Sequence, residues 1–121
     1  MSRRVWIRRA YEPPGRNDGY RVHVDRLWPR GVSKADARLD DWVRDLAPST
    51  ALRQWFGHDP RRWEEFGQRY RAELADHADA VSRLVEVARH RRLTLVFGAR
   101  DTEHNDAVVL REVIDAALAR S

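Results

Sequence analysis

The run Leu93-Thr94-Leu95-Val96-Phe97, closed by Gly98, constrains the fold of this chain more than any other stretch. Its apolar residues do not alternate with polar ones, so it cannot present one wet face and one dry face. It reads as a strand covered on both sides, which is the pattern of a parallel sheet between helices. Parallel strands need long connections, usually helical ones, and the rest of the chain supplies them.

Val5-Trp6-Ile7 reads as a first short strand, and Glu12 to Gly19 as a turn or open loop set by its prolines and glycines. Tyr20 to Arg26 alternates Val22 and Val24 with Arg21, His23 and Asp25 and reads as a second strand. Trp28-Pro29-Arg30-Gly31 suits a β-turn, and Ser33 with Asp36 starts a short helix. Asp41 to Leu46 fits either a third strand or a helical turn. Ser49 caps a short helix carrying Leu52, Trp55 and Phe56, and Asp59-Pro60 begins another.

That helix places Trp63, Phe66, Tyr70 and Leu74 on one face, and the next does the same with Val81, Leu84, Val85 and Ala88. Arg89 to Arg92 complement the dipole at its end. Asp101 or Thr102 caps a last helix whose core face is Ala107, Leu110, Val113, Ile114, Ala117 and Leu118. The expectation is an α/β fold: a single layered domain over residues 1–121 with a small, mostly parallel sheet flanked by helices. Strand order and oligomeric state stay open at this level.

No apolar run reaches the ~20 residues needed to span a bilayer, and no signal-like stretch follows the basic start Met1 to Arg4. A cytoplasmic protein with no membrane partner is expected. The absence of cysteine excludes disulfides, a thiolate nucleophile and zinc–thiolate sites. The formal net charge of +4 comes almost wholly from arginine, Lys34 being the only lysine, but acids are spread through the same segments and no continuous basic stripe is evident.

Two strand ends carry polar clusters. The second strand delivers Asp25, Arg26, Trp28 and Arg30, and the last delivers Arg100, Asp101, Glu103, His104 and Asn105. With both strands parallel, the clusters emerge at one edge of the sheet, where ligands of open α/β sheets bind. Arg26, Arg30 and Arg100 offer planar forks for a carboxylate or phosphate, and Trp28 an apolar wall. Asp25, Asp101 and His104 are the proton-transfer candidates, with His104 kept neutral by the dipole of the helix start. Asn105 is a hydrogen-bond partner, and His58, in Trp55-Phe56-Gly57-His58-Asp59-Pro60, a candidate for a further contact.

Each residue also has a structural reading. Asp25 with Arg26 or Arg30 makes an ordinary ion pair, Trp28 covers the sheet edge, Asp101 serves as a helix cap, and His104 solvates the same turn. His58 faces solvent, and His23 is a packed or edge histidine. Gly-rich phosphate loops, a G-x-S-x-G elbow and an H-E-x-x-H pair are absent. No metal site is expected from local spacing, and the motifs specify no cofactor.

Val24-Asp25-Arg26-Leu27-Trp28-Pro29-Arg30-Gly31-Val32-Ser33 and Leu46-Ala47-Pro48-Ser49 with Leu52-Arg53 resemble the YeaO-like branch of domain of unknown function 488. So do Trp55 to Pro60 and Ala99-Arg100-Asp101-Thr102-Glu103-His104-Asn105. The resemblance implies a small bacterial α/β protein but no settled activity. Some members carry a label as MarR-type transcriptional regulators, for which this chain shows neither a helix-turn-helix signal nor a wing. Related branches carry cysteines near the last strand end, where this chain has Phe97-Gly98-Ala99-Arg100, so thiol chemistry does not transfer.

The leading expectation is a site for a small anionic or nucleotide-like molecule at the strand ends, with metal-independent acid–base or hydrolytic chemistry as its catalytic form. It requires Arg26, Arg100 and His104 to converge in one pocket. The alternatives are arginine-mediated nucleic-acid or regulatory binding and a non-catalytic scaffold or partner-binding domain.

Overall fold

The computed structural model describes residues 4–120; most of the basic start, Met1 to Arg3, lies outside them. Among the described residues the sheet has four strands: β1 (Val5–Arg9), β2 (Tyr20–His23), β3 (Asp41–Trp42) and β4 (Leu93–Phe97). Their order is β1-β4-β2-β3 and every pairing is parallel. The apolar run is the inner strand β4, with Val5 opposite Leu93 on one side and Tyr20 opposite Leu93 on the other. All five of its residues are buried, as a strand covered on both faces requires.

Helices surround the sheet: α1 (Lys34–Ala37), α2 (Thr50–Phe56), α3 (Trp63–Ala75), α4 (Ala78–His90) and α5 (Asp106–Ala119). Ser33 caps α1 by accepting the Asp36 N–H, and Ser49 caps α2 by accepting that of Leu52. The ambiguous segment divides: Asp41–Trp42 pairs with β2, and Arg44–Leu46 forms a 3-10 turn. Asp59-Pro60 starts a second 3-10 turn leading into α3. Leu74, Leu84, Val85, Ala88, Leu110 and Ile114 join Val5, Val22, Leu93, Leu95 and Phe97 in one core.

β1 and β2 run parallel with β4 between them, yet residues 10–19 joining them contain no helix. Polar ties replace helix packing there. Thr94 Oγ1 donates to the Asp18 carbonyl at 2.7 Å, and Arg21 Nη1 to the Asp18 carboxylate at 2.5 Å, both buried. An ion pair withdrawn from water in this way needs its remaining groups satisfied; Arg21 also donates to the Ala37 carbonyl, and Asp18 accepts the Gly15 N–H.

Three boundaries differ from expectation, the first being β1, which runs on to Arg9 rather than ending at Ile7. β2 ends at His23 rather than Arg26, although Val24 N–H still donates to the Val96 carbonyl. The last helix is capped by Asn105, not by Asp101 or Thr102, and begins at Asp106. Asp101 instead accepts the Glu103 and His104 N–H groups and closes a turn ahead of the helix. Among the described residues no helix is long and apolar enough to cross a membrane.

Candidate functional site

The carboxyl-terminal ends of the strands open into a cleft of about 280 Å³, with Phe56 and Phe66 among its apolar walls. Asp25, Arg26, Trp28 and Arg30 line it from the segment after β2, and His104 and Asn105 from the segment before α5. His58 also lines it, exposed and at a left-handed φ of 57°. The two polar strand ends do meet.

Asp25 is held two ways. Its backbone carbonyl accepts Trp42 Nε1–H at 2.7 Å, and its Oδ2 accepts the Gly98 N–H at 2.8 Å. The expected alternative, an ion pair with Arg26 or Arg30, is not formed: both arginines are exposed and neither pairs with a described carboxylate. Trp28 combines its two readings. It packs against the buried His23 and against Trp42, with centroids 6.0 and 5.4 Å away, while its ring also lines the cleft.

His23 is fully buried, its Nε2 2.8 Å from the Leu27 carbonyl and its Nδ1 3.2 Å from that of Val96. It is a packed histidine that anchors the segment after β2 to β4.

Arg100 fails the requirement that three residues converge, so the site as composed from the sequence, with Arg100 in it, is not formed. Arg26 and His104 line the cleft, but Arg100 is exposed and outside it. The residue lies shortly beyond the buried end of β4, in a bend that turns toward solvent. A clamp of arginines from both strand ends is therefore not built.

Asp101 is also outside the cleft lining. Its carboxyl is held below the usual aspartate range by the Glu103 N–H first and the His104 side chain second. Its Oδ2 lies 2.9 Å from His104 Nδ1. In the neutral tautomer that donates this bond, Nε2 is left as the free acceptor. Asp101 thus positions His104 rather than meeting a ligand. The imidazole rests edge-on against Trp63, 5.2 Å between centroids. His104 precedes the N-cap, so it is not in the first helical turn and the dipole argument for its neutrality does not apply.

Asn105 is 3% exposed and its amide is committed: Oδ1 accepts the Val108 N–H at 3.1 Å and Nδ2 donates to the Asp101 carbonyl at 2.9 Å. It is a cap, not a free ligand partner.

Sequence reasoning missed two residues. Arg53, from α2, is exposed on the cleft wall and pairs with no described carboxylate. Asp106, the first residue of α5, lies against Asp25, and its carboxyl is pushed well above the usual range by burial first, then by the charge and hydrogen bond of Asp25. An acid in a first helical turn ordinarily reads as a dipole complement, which hides it; the only signal is its place directly after the polar cluster. Among the described residues, no group of three or more metal-binding side chains is assembled.

This is a small parallel α/β protein with an acid pair, a histidine and arginines gathered at the strand ends. The chain belongs to the YeaO-like branch of domain of unknown function 488: residues 4–121 match the family model described as "Inactive DUF488-N3 subclade". It is 43% identical over 108 residues to "Uncharacterized protein YeaO" of Escherichia coli (strain K12), covering 89% of this chain and 94% of that one. It is 40% identical over 112 residues to "Uncharacterized protein Rv3073c" of Mycobacterium tuberculosis (strain ATCC 25618 / H37Rv), covering 93% and 94%. No solved structure matches.

Proposed function

We propose that the strand-end cleft binds a small anionic or nucleotide-like molecule, with Arg26, Arg30 and Arg53 taking its negative charge. The observation that carries this reading is three guanidinium groups on the wall of one cleft with no carboxylate of the described residues paired to them. Some arginines elsewhere are paired, as Arg21 with Asp18, Arg61 with Asp59 and Arg69 with Glu65, while others such as Arg16, Arg38 and Arg100 pair with no described carboxylate. What sets Arg26, Arg30 and Arg53 apart is that they share one concave wall. Guanidinium forks left open around a concave apolar surface favour recognition of carboxylate or phosphate. Arg53 takes the place that the sequence pattern assigns to Arg100.

Asp25, Asp106 and His104 give the cleft groups able to give and take protons, which supports an acid–base or hydrolytic form of this function. The word "inactive" in the description of the matching family model favours binding without turnover. The test is a thermal-shift series with inorganic pyrophosphate, nucleoside monophosphates and small dicarboxylates, since a ligand of the folded state alone raises the melting temperature. A rise that Arg30→Ala and Arg53→Ala abolish is the expected result. No rise at saturating concentrations overturns the reading. Tight binding of nucleic acid that collapses with added salt would instead support the alternative of arginine-mediated nucleic-acid binding.

A further inference from the structure

Three large hydrophobic side chains are exposed among the described residues, and two of them, Tyr11 at 47% and Leu27 at 61%, line the cleft that holds the three open arginines. The third, Trp6, lies on β1 outside that lining. Single exposed hydrophobics need no explanation, but a pair gathered on one concave surface marks a place that a ligand or partner covers. Both residues are held. The Arg9 guanidinium lies over one face of the Tyr11 ring, 5.1 Å from its centroid, and Arg9 Nε donates to the Ala99 carbonyl at 2.9 Å. That bond ties the end of β1 to the segment after β4. Leu27 projects from a backbone whose carbonyl lies 2.8 Å from Nε2 of the buried His23. Tyr11 is thus a ring with one face occupied and half its surface left open on the cleft.

Resting on the reading that this cleft is an anion site, we propose that Tyr11 is a platform on which a flat aromatic base stacks, with Leu27 beside it, and that the ligand is a nucleoside monophosphate. The two chemistries exposed in one cleft call for both parts in one molecule. Guanidinium forks of Arg26, Arg30 and Arg53 take a phosphate, but a bare anion leaves Tyr11 and Leu27 wet. A neutral aromatic covers those two and leaves the guanidinium groups unpaired. A base joined through a sugar to one phosphate meets both demands. Stacking needs only the ring face that Arg9 leaves free, and every base has a π-face. Tyr11 therefore selects for a base without selecting which one. The cleft volume of about 280 Å³ suits one nucleotide with its base toward the open side, not a dinucleotide.

The test titrates the full chain calorimetrically with adenosine monophosphate and with ribose phosphate, which lacks the base. The wild type is expected to bind the nucleotide about tenfold or more tightly than the sugar phosphate, one base–aromatic stack being the difference. Tyr11→Ala should remove that advantage, lowering nucleotide affinity by about tenfold while ribose phosphate stays within about twofold. Tyr11→Phe keeps the ring and should hold both affinities within about twofold of the wild type. Leu27→Ala, at an exposed side chain, should lower nucleotide affinity by a smaller factor, about threefold. Ribose phosphate serves as the control for folding, since a damaged cleft would lose it too. Arg53→Ala should weaken both ligands. Equal wild-type affinity for the two, nucleotide affinity unchanged in Tyr11→Ala, or an equal loss of both ligands in that variant overturns the platform and spares the anion reading. If neither phosphate binds the wild type, the anion site and the platform fall together.

Discussion

The indole N–H of Trp42 donates to the backbone carbonyl of Asp25 at 2.7 Å, tying the short edge strand β3 to the first cleft residue beyond β2. β3 is only two residues long, too short to hold this segment by backbone pairing alone. The Arg44 guanidinium lies over the same indole, 3.8 Å from the Trp42 centroid. Trp42→Phe keeps an aromatic ring and removes the donor. It is expected to cost about 1–2 kcal/mol in urea denaturation, because the Asp25 carbonyl loses a part-buried partner. A loss near zero would mean that Asp25 is positioned without Trp42.

The pH dependence of stability follows from Asp106. Its folded-state pKa is raised, by burial first and then by Asp25, so the folded protein binds more protons than the unfolded one once pH exceeds the ordinary aspartate range. Stability contributed by this group is complete below that range, near pH 4, and is lost as pH rises through the folded value. Asp106→Asn, which imitates the protonated acid, should therefore melt higher than the native chain at neutral pH. The gain should disappear as pH approaches the ordinary range. Melting curves across pH check this, and a variant less stable than the native chain at pH 7 would contradict it.

The parts of the fold set by local rules are legible in the sequence. Leu93 to Phe97 is apolar throughout because both faces are covered, and Ser33 and Ser49 cap helices through contacts only three residues long. Asp106 is not legible there, because its meaning depends on Asp25, a residue far away along the chain. Arg53 is hidden for the same reason: a helix-surface arginine becomes a wall residue only once α2 is packed beside the strand ends. Arg100 and Asn105 fail in the other direction. Their residue types suit a ligand, but one turns to solvent and the other spends its amide on α5 and the turn before it.

Gly19 is required by the connection between β1 and β2. Its φ is +67°, and a Cβ there would lie 2.3 Å from the Arg92 carbonyl oxygen. That oxygen already accepts the Tyr20 N–H at 2.9 Å, where β2 begins. Gly19→Ala therefore adds a clash with backbone to an unfavourable left-handed conformation. A loss of more than about 2 kcal/mol is expected. A smaller loss in denaturant titrations would show that the loop can move away from β4 despite the Asp18 and Thr94 tie.

Asn105 and Arg100 give opposite outcomes from nearby positions. Asn105→Ala removes the acceptor for the Val108 N–H and the donor to the Asp101 carbonyl, both at a buried site. The expected cost is about 1–2 kcal/mol. Asn105→Asp retains the acceptor but not the amide donor, and it adds a third carboxyl to a lining that already holds Asp25 and Asp106. It should recover part of the capping energy at low pH and lose it as the acids ionise. Arg100→Ala touches neither cap nor cleft, so its stability should stay within about 0.5 kcal/mol of the native chain, with pyrophosphate affinity unchanged. If Arg100→Ala weakened pyrophosphate as Arg53→Ala does, the anion would have to lie outside the cleft, against the solvent-facing bend after β4.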